Sequence, residues 1–502
     1  MTLPTKYTAS SRFSRRSRRD GASQLGFADM KRIHTLFRAL GVGLALAAPL
    51  SAGPATSSDK LVIEAGRIIT MAGDDIEDGV IVIENGRITQ VGTADEVEKP
   101  WDAPVLGGPD FVAFPGFIEA HTSRGMDRAN ENIDVAPFLD VADSIDPIAY
   151  YFEDCLRYGV TTANVQHGPA CVIGAQGRIV RPVGMTIEEM TLRPRFGLKI
   201  SVIPKQGKSR ATQMQALRQT FEGLRRYLED LVEKERDERG YAEREALFQG
   251  RELDEEEKEG RAMEGVAWKV DGLEIIPRGA IDEKQAPLLD LVEGRRAVFI
   301  SCASPVDIGH ALELARDNGF LARTTLVITP GCFKAADEIA EAGVPVVLDG
   351  GLVWRERDPR TGEEEETFVP KVLADKGIRF ALSSENPSQH SLWYQAALAV
   401  GYGLDREEAL AAVTTTPAEI LGLGDQLGSI EPGKLGNVLL LSGDPLSITS
   451  WVERVVIEGR EVYDRNTDIR NKQLLDGTQP FGTQASVGEP GDDDAADDGE
   501  GE

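Results

Sequence analysis

Five histidines and four cysteines bound what this chain of 502 residues can do with a metal ion. A transition metal needs three or four nitrogen, sulfur or oxygen donors converging on one centre. His121 ends the apolar run that begins at Val112, and Ser123 follows two residues later. His167 stands just past a second run, Val160–Val165. Cys302 and Cys332 lie at or just beyond two later apolar runs. His121, His167, Cys302 and Cys332 together make a two-nitrogen, two-sulfur set that zinc accepts. The cysteine spacing itself matches no zinc motif, so buried thiols and a Cys302–Cys332 disulfide stand beside that reading. The other histidines sit elsewhere: His34 near the N-terminus, His310 within a helical stretch, and His390 after Pro387. A metal-free alternative takes Glu385 as general base, His121 as its partner and Ser123 or Ser301 as nucleophile. No Gly-x-Ser-x-Gly turn accompanies either serine.

The elements that must hold these residues are short β-branched runs separated by helices, the pattern of parallel βα units. Strands are expected at Val160–Val165, Gly197–Ile203, Ala297–Cys302, Thr324–Thr329, Val344–Leu348 and Ile378–Ser383. Between them, Met214, Leu217, Phe221, Leu224, Leu228 and Leu231 recur at three- or four-residue steps and predict a helix over 211–239 with one apolar stripe. Residues 240–260 read as its charged, solvated extension. Two strand-rich segments flank this region. One lies over 59–114 with an Asn85-Gly86 hairpin signal, and the other over 424–466.

The N-terminus carries basic residues, Arg15 to Arg19 and Lys31-Arg32, ahead of an apolar stretch, Leu36 to Leu50, and small residues Ser51 to Ala55. That order predicts a signal peptide over residues 1–58, read from Met1 or Met30, and an exported protein. The apolar stretch is too short for a comfortable membrane span, so no stable span is expected after its removal. A net charge of −28 excludes a nucleic-acid surface. The acidic end, within 467–502, is expected to be disordered by composition.

The phrase Pro115-Gly116-Phe117-Ile118-Glu119-Ala120-His121 resembles the first barrel strand of the amidohydrolase superfamily. So do Gly428-Ser429-Ile430-Glu431-Pro432-Gly433-Lys434 near the C-terminal end and Thr414–Gly422 for the helix after the last strand. Pro169–Gly177 looks like a Gly-rich loop of the imidazolonepropionase-like branch. The resemblance implies an α/β fold: a TIM-like (β/α)8 barrel over 115–423, plus a small composite β-sandwich built from 59–114 and 424–466. It also implies hydrolysis of C–N bonds of the cyclic-amide type by a metal-bound hydroxide. The family's ligands are a His-x-His on strand 1, a bridging Lys or Glu on strand 4, single histidines on strands 5 and 6, and an aspartate on strand 8.

Most of those positions differ in this chain. Ser123 replaces the second histidine, and Ser301-Cys302 and Pro330 stand where strands 5 and 6 would give histidines. Glu385 is the remaining strand 8 acid. In strand 4 the expected acid falls at Val202, and Lys199 reads as a strand residue. His121 is then a remnant ligand, while Ser123, Gln176 and Ser301 are candidates for substrate contact. The cofactor is either none or a divalent metal such as zinc. Two functions compete: an altered C–N hydrolase, and an exported non-catalytic module that binds a small molecule or protein at the barrel mouth. A homodimer is implied by the family alone.

Overall fold

The computed structural model describes residues 59–251, 270, 272–273, 276–385 and 391–476. The expected signal segment, residues 252–260 of the charged stretch, His390 and the acidic end beyond 476 lie outside the described residues.

The β-branched N-terminal segment forms β1 (Lys60–Ile68), β2 (Ile76–Glu84), β3 (Arg87–Thr93) and β4 (Val105–Pro115). Asn85 and Gly86 join β2 to β3 with φ of 51° and 80°, the left-handed pair that a tight hairpin turn requires. Pro115-Gly116 then passes the chain into the barrel. A Cβ on Gly116 would lie 2.1 Å from Thr161 Oγ1, so only glycine lets the first barrel strand start this close to its neighbour.

The barrel begins with β5 (Phe117–Thr122) and β6 (Val160–Val165), which pair in parallel. Only residues 166–172 separate β6 from β7 (Ile173–Gln176). That is too short for the dozen or so residues a parallel crossover needs. The chain therefore turns back, and the third barrel strand is antiparallel to its neighbours, a departure from the uniformly parallel pattern expected. Gly177 divides this strand into β7 and β8 (Arg178–Val180). β8 pairs with β6 and with β9 (Thr191–Arg193), while β7 pairs with β10 (Leu198–Ser201).

From β10 the ring is parallel: β11 (Val298–Cys302), β12 (Thr324–Ile328) and β13 (Val346–Leu348) follow in register. A two-stranded excursion, β14 (Val353–Arg357) and β15 (Glu364–Phe368), precedes β16 (Phe380–Leu382), which pairs with β13. Side chains close the ring between β16 and β5, as described below. Eight strand positions result, the third of them reversed.

The helix Arg210–Gln249 starts on a Ser209–Thr212 capping box and buries Met214, Leu217, Phe221, Leu224 and Leu228 against the barrel wall. Each such side chain contributes roughly 1.5–3 kcal/mol of burial. The helix runs ten residues beyond the expected end at 239, into the stretch assigned to its extension.

The chain then returns to the N-terminal strands. β17 (Val438–Leu441), β18 (Val452–Ile457) and β19 (Arg460–Asp464) extend the first sheet in the order β19-β18-β17-β4-β1-β2-β3. The composite domain from both flanking segments is thus one continuous seven-stranded sheet. One apolar cluster, including Ile63, Ile81, Val438 and Val456, draws on both segments. A helix over Ile469–Asp476 follows where disorder was expected, held by Asp468 to the barrel.

Candidate functional site

Strand periodicity sets the inner layer of the barrel. Phe299, Val327, Val347 and Ala381, from successive strands, share a cluster with Ile118 and Ala120. Their neighbours Ile300, Ile328, Leu348 and Leu382 pack in the larger cluster with the helices. Two residues further along each strand the same face recurs, which puts Ser301, Thr329, Asp349 and Ser383 around the carboxyl ends of the strands. Lys199 pairs in register with Phe299 and is fully buried.

Lys199 is the residue that the sequence reading set aside. Its Nζ lies 2.7 Å from Nε2 of His121, across the barrel from β5. Burial pulls the lysine down to about 8, and Asp349 and the nearby thiols oppose that only in part. Burial, and then the Lys199 charge, hold His121 well below the usual histidine range. The imidazole is therefore neutral near pH 7. With Lys199 protonated, His121 Nε2 accepts and Nδ1 carries the proton. A single lysine inside the apolar run of β10 was the available signal, since lysine is almost never fully buried without a reason.

Glu119, two residues before His121, closes the ring. Its carboxyl accepts hydrogen bonds from the Ser384 amide at 2.8 Å and from the Ser384 hydroxyl. Ser383 Oγ donates to the His121 carbonyl at 2.8 Å. Burial pushes Glu119 up to about 7, against these hydrogen bonds. Asp349, at the end of β13, is raised by burial and by Glu385.

The other expected residues are placed as follows. His167 is buried at the end of β6, its Nε2 accepts from the Glu131 amide at 2.8 Å, and burial lowers it to about 4. Cys302 and Cys332 are free. Their thiols face backbone carbonyls, those of Ile300 and Asp307 for Cys302 and that of Cys302 for Cys332. Glu385 has a left-handed φ of 47° and turns outward to Arg124 at 3.9 Å. It is not hydrogen-bonded to His121, so the Glu–His–Ser relay is not formed. Ser123 is half-buried and Ser301 buried, both near the mouth. Gln176 is a correction: its Oε1 accepts from Arg296 at 2.8 Å, and it pairs with Leu198 at the start of β10, away from the mouth. Val202 packs in the core and His310 lies on the helix Pro305–Asp317.

The donors do not fit a divalent cation. His121 and His167 each have Nε2 engaged, the thiols face the backbone, and among the described residues no three His, Cys, Asp or Glu side chains converge. The mouth nevertheless holds buried polar atoms without protein partners among the described residues: Nδ1 of His121, Nδ1 of His167 and Oδ1 of Asp349. Such atoms call for water or a bound molecule.

Comparison with known proteins agrees with this architecture. A model described as "Amidohydrolase family" matches residues 303–462. Imidazolonepropionase of Symbiobacterium thermophilum is 26% identical over 457 residues, 81% of this chain and 97% of that one. The chain is similar to the amidohydrolase superfamily, and to imidazolonepropionases over most of its length. Within the superfamily, the solved amidohydrolase from Thermotoga maritima MSB8 shares the fold at a TM-score of 0.63, with 24% identity over 81% of this chain and all of that one. Amidohydrolase tasK of Hapsidospora irregularis is 37% identical over 97 residues, 19% of this chain and 10% of its own length.

Proposed function

We propose that this protein recognises a small cyclic-amide-type molecule at the carboxyl ends of its barrel strands, and that its site no longer cages the divalent cation on which the amidohydrolase superfamily's hydrolysis depends. The supporting observation is the 2.7 Å contact between Lys199 and His121. It places a cation where a metal ligand would face its ion, and a buried ammonium repels a divalent metal. The unpartnered polar atoms around it offer donors and acceptors to an amide. Export through the N-terminal segment and a homodimer belong to this proposal as well.

A second reading keeps catalysis. A buried amine near pH 8 touching a neutral imidazole is a pair suited to proton transfer. On that reading the protein is a C–N hydrolase with an altered, metal-poor centre.

One experiment separates the readings. The purified full chain is dialysed, assayed for zinc and manganese, and offered a panel of lactams, hydantoins and N-acyl compounds. Saturable binding without turnover and without stoichiometric metal supports the first reading. Turnover that survives chelator and is lost in Lys199→Met and His121→Ala supports the second. Stoichiometric metal with turnover overturns both.

A further inference from the structure

At the opposite end of the barrel, a cavity of about 450 Å³ is walled by Arg193, Arg195, Arg295, Arg296, Arg323 and Arg379. Its floor includes Gly197, Ala297, Thr324 and Pro345, at or near the amino ends of β10 to β13. We propose that this cavity is a binding site for a compact, multiply charged phosphate anion of the pyrophosphate type.

The charge balance is the first argument. The chain as a whole carries −28, so arginines gathered by chance would find carboxylates in surplus. Here the reverse holds. Arg195 meets Asp140 at 3.4 Å, Arg296 meets Asp290 at 3.0 Å, and Arg379 reaches Glu419 only at 4.0 Å. Arg295 pairs with Asp290 and Glu293. Three of those acids are shared again: Asp140 with Arg178, and Asp290 and Glu293 with Arg278. Six guanidinium groups thus rest on four carboxylates, and Arg193 and Arg323 pair with none of them. Arg323 is exposed, and its guanidinium has no hydrogen bond or ion pair among the described residues.

Preorganisation is the second argument. Gln176 Oε1 and the Arg195 carbonyl fix Arg296 at 2.8 and 2.7 Å. Arg193 donates to the carbonyls of Leu421 and Gly422 at the end of the helix Thr415–Ile420, and lies over the Phe196 ring at 5.3 Å. The forks of Arg323, Arg379 and Arg195 remain open to the cavity. Planar guanidinium forks match phosphate oxygens two at a time. Pyrophosphate concentrates about three negative charges in a body smaller than the cavity, which suits a surplus of this size. No exposed large apolar side chain lines the cavity, which favours a soluble anion over a phospholipid headgroup, since a membrane site adds apolar groups that enter the bilayer.

The test is calorimetric titration of the full chain at low salt with pyrophosphate, with citrate as a carboxylate control, and co-sedimentation with phosphatidic-acid vesicles. Saturable binding of pyrophosphate at one site is expected. It should weaken at least tenfold in the double variant Arg323→Glu/Arg379→Glu and by a smaller factor in Arg323→Gln, with unchanged thermal midpoints, since both side chains are exposed. Citrate should bind at least tenfold more weakly than pyrophosphate. Three results overturn the proposal: no saturable pyrophosphate binding, equal binding by wild type and folded variants, or citrate as tight as pyrophosphate. Vesicle capture without pyrophosphate binding also overturns it and assigns the arginines to a membrane surface.

Discussion

Nζ of Lys199 and Nε2 of His121 meet at 2.7 Å inside the barrel, and among the described residues no carboxylate forms an ion pair with either. A buried cation resting on a neutral imidazole is expensive, and the expense titrates. Lys199 falls from 10.5 to about 8 in the folded chain. Between those values the unfolded chain binds a proton that the folded chain does not, so stability rises with pH across that window. Below pH 8 the full penalty is present, about 3 kcal/mol by the free energy of the shift. Lys199→Met should therefore stabilise the protein by about 1–3 kcal/mol at pH 7 and flatten the rise from pH 8 to 10. Urea unfolding of both proteins at pH 7, 8, 9 and 10 checks this. A destabilised Lys199→Met at every pH would show that the lysine is held by partners stronger than His121.

Glu119 carries the opposite sign. Its carboxyl is raised from 4.5 to about 7, so between those values the folded chain holds a proton that the unfolded chain releases. Stability falls as pH climbs through that window. Glu119→Gln keeps an oxygen for the Ser384 amide and removes the titration. It should be neutral or stabilising at pH 7 and flatten the pH dependence from 5 to 7. Glu119→Ala leaves the Ser384 N–H without its acceptor and should cost about 1–3 kcal/mol. Thermal midpoints of the two variants at pH 5 and 7 decide the matter; equal loss in both would mean that the negative charge itself holds the seam.

Much of the scaffold was readable because strand and helix periodicity is a local property. Val160–Val165 is matched end to end, and β11 and β12 each lie within a residue of the expected runs. The reversed third strand was missed because direction depends on the length of the connection at 166–172, which hydrophobicity does not report. The helix Ile469–Asp476 was missed because its anchor, Asp468, binds Arg157, 311 residues away. At the site, His121 lies at the end of β5 and His167 just past the end of β6. Lys199 was undervalued and Gln176 misplaced, because which end of the barrel a side chain serves depends on strand direction and register.

Gly177 tests the reversed strand directly. A Cβ there would lie 2.3 Å from Nε2 of Gln166 and 2.9 Å from the Phe196 carbonyl. Gln166 cannot simply swing away, because its amide bridges Asn164 and that same carbonyl at 3.2 and 3.1 Å. Gly177→Ala should cost about 1–3 kcal/mol through overpacking, measured as a lower urea midpoint with an unchanged slope. A neutral substitution would indicate that β7 and β8 are not kinked at this point.

Asp468 fastens the C-terminal helix to the barrel, and its contribution has a pH signature. The carboxylate is nearly buried, accepts from Arg157 Nε at 2.8 Å and Tyr463 OH at 3.0 Å, and receives the Arg470 amide at 2.9 Å. Burial pushes its pKa up, but the hydrogen bonds from Arg157 and Tyr463 together outweigh that and leave it below 3.8. A depressed carboxylate stabilises the fold at pH values above its unfolded pKa and loses that contribution as pH falls through the folded one. Asp468→Asn preserves the shape and part of the hydrogen bonding while removing the charge, so at pH 7 it should cost about 1–3 kcal/mol. The difference from wild type should shrink as pH falls from 3.8, the unfolded value, through the lower value of the folded carboxyl. Limited proteolysis supplies a second readout, because cleavage near Ile469–Asp476 should accelerate in the variant while the barrel resists. A cost that stays constant from pH 7 to pH 3.5 would assign the effect to the amide's geometry and not to the charge.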